Sequence, residues 1–129
     1  MGDYDCVMTY AREAAAFFSG KNDEEHAHAL NLMSYAAMMT GDYAGSVDYC
    51  LQALDLITIE TAKTAWFMAM GNMGYAEYLR GNYTEARRIY EDVTSRYEHT
   101  PYSPSGIAYG YNNLGEIVRE EGRLDRAME

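Results

Sequence analysis

A short motif recurs along the chain at nearly constant intervals, and it restricts the possible folds more than any other feature. Gly2-Asp3-Tyr4, Gly41-Asp42-Tyr43 and Gly81-Asn82-Tyr83 are followed by Gly122-Arg123-Leu124, with spacings of 39, 40 and 41 residues. The likeness extends to both sides of each glycine. Seven residues before it stand Ser34, Gly74 and Gly115, all small, and eight before it Met33, Met73 and Leu114, all large and apolar. Five after it come Val7, Ser46, Ala86 and Ala127, mostly small. Self-similarity at a fixed period marks an array of one supersecondary unit, each copy burying its apolar face on the next.

The unit reads as a helical hairpin. Glycine takes positive φ at little steric cost and so ends a helix. The Asp or Asn after it can cap the next helix by accepting a backbone N–H. Asn82 with Glu85 has the spacing of a capping box. Small residues on either side of the turn let two helices approach closely. A β-hairpin is disfavoured, because the flanking runs are rich in Ala, Glu and Met and lack alternation. Composition agrees: 17 Ala and 9 Met are strong helix formers, 13 Tyr carry much of the apolar mass, and the two prolines, Pro101 and Pro104, are confined to one linker.

These signals predict helices over about 3–19, 23–40, 42–57, a fourth ending near Arg80 after a break near Thr58, and 83–98. On the fifth, Arg87–Glu91, Arg88–Asp92 and Asp92–Arg96 are i,i+4 pairs of a solvated face. A linker, His99 to Pro104, precedes a sixth helix ending near Glu121, and 123–129 begins a seventh.

The net charge of −10 disfavours a general nucleic-acid binder, which needs a basic face. No stretch is apolar for a bilayer span, and no basic segment followed by an apolar run opens the chain. A cytoplasmic, reducing setting is therefore expected, with Cys6 and Cys50 as buried or half-buried free thiols. Gly71-Asn72-Met73-Gly74 is no phosphate loop, since no Gly-Lys-Ser/Thr follows. No nucleophile motif places His26, His28 or His99. Glu24 and His28 share a helix face while His26 points elsewhere, too few ligands for a metal site, so the acidic run Asp23-Glu24-Glu25 is read as a helix start. No enzyme activity, cofactor or metal is expected.

The segments Asn72-Met73-Gly74, Gly81-Asn82-Tyr83-Thr84-Glu85-Ala86 and Asn113-Leu114-Gly115 through Ala127 resemble the tetratricopeptide repeat, in its long-period variety. Ser34 and Ser46 are looser matches, and Glu77 stands where the pattern prefers an apolar residue. The resemblance implies an all-α fold, a right-handed α-solenoid of antiparallel helix pairs. It divides the chain into a half repeat (1–22), repeats 23–58 and 59–99, and a partial repeat (103–129). Both ends then fall in mid-repeat, which suggests a segment of a larger regulator or adaptor, or self-association through open ends. The resemblance also implies a concave groove binding a protein or peptide segment. Carried over, its lining is His28, Asn31, Tyr35 and Met38, then Met68, Asn72, Tyr75 and Tyr78, then Tyr109, Asn112, Asn113, Glu116 and Arg119. Only Arg119 is basic there, so an acidic C-terminus is a poor ligand and a neutral, apolar or mildly basic segment a better one. The alternative function is a structural spacer with no groove ligand.

Overall fold

Gly41 and Gly81 do the same two jobs at two places, and the fold follows from them. In a computed structural model, which describes residues 2–98, five helices run in order: α1 (Gly2–Phe18), α2 (Asp23–Met39), α3 (Tyr43–Leu56), α4 (Lys63–Leu79) and α5 (Tyr83–Glu98). The expected sixth and seventh helices and the linker before them lie outside the described residues. Gly41 has φ +91° and Gly81 φ +88°, the left-handed region that favours glycine. Each closes the helix before it with the same bond pair. Gly41 N–H donates to Met38 O (3.1 Å) and Asp42 N–H to Ala37 O (2.8 Å); Gly81 N–H donates to Tyr78 O (3.1 Å) and Asn82 N–H to Glu77 O (2.9 Å). Asp42 then opens α3, its Oδ1 accepting from Gly45 N–H at 3.0 Å.

At the second turn the side chains depart from the expected capping box. Glu85 gives its carboxylate to Arg88, and the Asn82 amide donates to Glu77 Oε2 at 2.9 Å. Arg88 therefore pairs one turn back, where the sequence suggested Asp92; Arg87–Glu91 and Asp92–Arg96 do form. Glu77 is buried with Arg80 Nη1 3.1 Å away. A carboxylate sits at an apolar position of the pattern because it ties both Arg80 and Asn82 to the helix end.

The fourth helix starts later than the break at Thr58 suggests. Thr58 and Thr61 bond each other reciprocally, Thr58 N–H to Thr61 Oγ1 (2.8 Å) and Thr61 N–H to Thr58 Oγ1 (3.1 Å). Buried Ile57 anchors this loop, and helix begins at Lys63. Threonine hydroxyls do here what glycine does at the other turns.

Each helix packs on the next, and α2 also meets α4, whereas α1 and α3 do not touch among the described helices. That is an all-helical α-solenoid whose alternate helices, α2 and α4, share one side. Two crossings hold it. Between α2 and α3, Ser34 Oγ lies 2.8 Å from Ser46 Oγ and 3.0 Å from Cys50 Sγ, all fully buried. Between α4 and α5 the corresponding residues are Gly74, Ala86 and Tyr90. There the Tyr90 ring covers Gly74, and its hydroxyl donates to Gly71 O at 3.2 Å.

Cys6 is exposed, contrary to the expected burial. The side of α1 that faces α2 carries Met8, Ala11 and Ala15, which leaves Cys6, Tyr10 and Phe17 outside. Cys50 is buried, and desolvation, only partly offset by its contact with Ser34, pushes its pKa up to about 11.

Two measurements check this picture. Gly41→Ala or Gly81→Ala is expected to cost about 1 kcal/mol each, because alanine is strained at positive φ, and to lower the melting temperature by several degrees; an unchanged melt would contradict the assigned turns. The folded Cys50 thiol keeps its proton to about pH 11, against 9.0 for a free thiol. Its contribution to stability is thus complete below pH 9.0 and lost as pH rises through about 11. Denaturation midpoints should fall less across that window in Cys50→Ala than in the wild type. Equal slopes would refute the burial argument.

Candidate functional site

A 40-residue register puts like positions of α2 and α4 side by side. His28, Leu32, Tyr35 and Met39 follow one stripe of α2, and Met68, Asn72, Tyr75 and Leu79 follow the matching stripe of α4. Several of these side chains are large, apolar and exposed: Leu32 (41%), Tyr35 (42%), Met39 (38%), Met68 (48%) and Leu79 (37%). Exposed apolar residues clustered on one face signal an interaction surface more than scattered ones do.

A cleft of about 360 Å³ lies between the stripes, lined by His28, Asn31, Leu32, Tyr35, Met68 and Asn72. Its two asparagines are unequal. Asn31 is 2% exposed, and its Nδ2 donates across to Ala65 O of α4 at 3.2 Å. Asn72 is half-buried, and its Nδ2 donates to Asn31 O of α2 at 3.4 Å. Together the two amides strap α2 to α4 and line the cleft. Asn31 Oδ1 is buried without a hydrogen-bond partner. A buried amide oxygen without a donor is costly, by about 1–3 kcal/mol, and calls for explanation.

The structure brings Asn31, Tyr35, Met68 and Asn72 of the expected lining together with His28. Met38 is buried in the packing between helices and does not line the cleft. Tyr75 and Tyr78 stand further along α4, at the turn into α5. Their rings meet edge-on (6.1 Å between centroids), Tyr78 also packs on Tyr83 (5.5 Å), and all three cover Ala86 and Tyr90. Tyr109, Asn112, Asn113, Glu116 and Arg119 lie outside the described residues. Leu32 is a lining residue that the sequence reading passed over. Its signal was available, since Leu32 is one repeat away from Asn72.

Beside the cleft, Tyr4 of α1 meets Tyr35 edge-on at 6.2 Å and borders a second recess with Asp5, Met8, Thr9, Arg12, Ala36 and Thr40. Neighbouring recesses therefore run from α4 across α2 to α1. Among the described residues, no group of three or more His, Cys, Asp or Glu is placed to hold a metal ion. None of the described helices is long and apolar enough to cross a membrane.

The two cysteines give a direct check on which side chains are accessible. A thiol-reactive chromophore should titrate Cys6 promptly in the folded protein and Cys50 only after denaturation. Two fast thiols in the folded state would contradict the packing of α3 against α2.

Residues 66–100, which include most of α4 and all of α5, match a family model described as a tetratricopeptide repeat. No curated protein matches the sequence.

Proposed function

We propose, on the premise that this chain carries a tetratricopeptide repeat and that such repeats generally mediate protein–protein interaction, that it is a non-catalytic module which holds a protein or peptide segment on the concave side of α2 and α4. One observation carries the reading. The exposed apolar side chains Leu32, Tyr35 and Met68 converge with two amides on a single cleft, and the cleft lies on the face that α2 and α4 share. A tyrosine ring and unbranched methionine offer adaptable contact to an extended or helical segment.

In this reading Asn31 and Asn72 act differently from the free amides that the sequence suggests. Each nitrogen already donates one hydrogen bond, to the Ala65 and Asn31 carbonyls, so each amide is fixed in direction rather than free to turn toward a ligand. Residues 23–58 and 59–99 serve as the two units that frame the cleft, with 1–22 and 103–129 as part-units on either side. Tyr75 and Tyr78 support the α4–α5 turn and so border the groove rather than fill the cleft. Tyr109, Asn112, Asn113, Glu116 and Arg119 would extend the groove into the part-unit 103–129.

The test selects peptides from a random library displayed on phage, using the full 129-residue chain as bait. Tyr35→Ala combined with Met68→Ala should weaken the selected peptides at least about tenfold. The melting temperature should change little, because both side chains are substantially exposed. Unaltered affinity in the double variant, or failure of the library to yield a binder, would favour a structural spacer.

A further inference from the structure

We propose that the α2–α4 cleft receives a cationic aliphatic side chain, lysine or arginine, of the bound segment. The proposal rests on the groove reading above and names what its central cleft selects. The argument begins with the direction of the amides. Asn31 Nδ2 is held by Ala65 O and Asn72 Nδ2 by Asn31 O. Neither amide can flip end for end without breaking a bond between α2 and α4. Both residues line the cleft, and Asn31 Oδ1 is buried without a hydrogen-bond partner. Only a donor satisfies such an oxygen.

Charge decides what kind of donor. Over residues 2–62, ten acidic side chains face two basic ones, whereas residues 63–98 carry five of each. The ion pairs Arg80–Glu77, Arg87–Glu91, Arg88–Glu85 and Arg96–Asp92 all lie within α4 and α5. Of the two cations in the acidic half, Lys21 sits over the Phe17 ring at 4.4 Å, and Arg12 borders the recess beyond Tyr4 with Asp5. The cleft itself is lined by no Lys or Arg. Glu24, exposed, stands one turn before His28 on the same side of α2. The field over the cleft thus favours a positive group.

Shape fits as well. Leu32 and Met68 offer apolar surface to a methylene stem, and the Tyr35 ring offers a face to the charged head. A long stem with a donating cation at its end uses both the apolar lining and the unpartnered amide oxygen. A carboxylate would bring no donor and would meet the acidic surplus of residues 2–62.

The test is an NMR titration of the full chain with n-butylguanidinium chloride, its uncharged isostere n-butylurea, and sodium pentanoate. The reporters are the Met68 methyl and the side-chain amides of Asn31 and Asn72. Butylguanidinium should shift them saturably, bind about fivefold more tightly than butylurea, and weaken in high salt, while pentanoate leaves them in place. Asn72→Leu should abolish the shifts. Because that change also removes a strap between helices, Glu24→Gln provides a surface variant, which should weaken binding without altering the melt. Equal binding of butylurea would overturn the proposal and leave the groove reading standing. Preference for pentanoate, or no cleft shift with any probe, would also overturn it, and peptide selection then judges the groove by itself.

Discussion

The close crossing of paired helices is the constraint on which the rest depends. Two antiparallel helices joined by a tight turn can pack near that turn only if side-chain volume at the crossing is controlled. The chain solves this twice, with different residues. Ser34, Ser46 and Cys50 share the volume at the first crossing and satisfy one another's polar atoms. At the second, Gly74 and Ala86 yield space to a large ring, Tyr90, which reaches over to bond Gly71 O. Serine at a position where the repeat pattern favours glycine is thus no defect, because a small thiol stands where the other crossing has a tyrosine.

From the crossings the site follows. Pinning α2 to α3 and α4 to α5 leaves one stripe of α2 and one of α4 uncovered, and the register aligns them. The straps from Asn31 to Ala65 and from Asn72 to Asn31 hold these two helices together. The bonds that stabilise the stack also fix the direction of the two amides that line the cleft.

Much of this was legible in the sequence. The turn glycines, the cap at Asp42 and the bounds of α5 follow from local chemistry that acts within a few residues. The start of α4 was less so, because Thr58 and Thr61 make a turn through side-chain bonds that composition does not advertise. Cys6 was misread because burial depends on which side of α1 meets a neighbour, and a lone helix does not show this. Met38 is placed in the groove by family position, whereas packing puts it inside; Tyr75 and Tyr78 pack on Ala86 and Tyr90 and are not among the residues that line the cleft. Hardest to read was the direction of the amides at Asn31 and Asn72, which is set by contacts between residues 34 and 41 positions apart.

The sharpest check on the central claim is a double-mutant cycle that gives the second crossing the residues of the first at two of its three positions. A Cβ at Gly74 would lie 3.0 Å from the Tyr90 ring, so Gly74→Ser alone should cost about 1–3 kcal/mol by overpacking. Tyr90→Cys alone should cost about 3–5 kcal/mol through the cavity it leaves. If the residues at a crossing are matched as a set, the double variant loses at least about 1 kcal/mol less than the two changes added together. Additive losses, within about 0.5 kcal/mol, would show that the crossings are not volume-compensated units and would contradict the account.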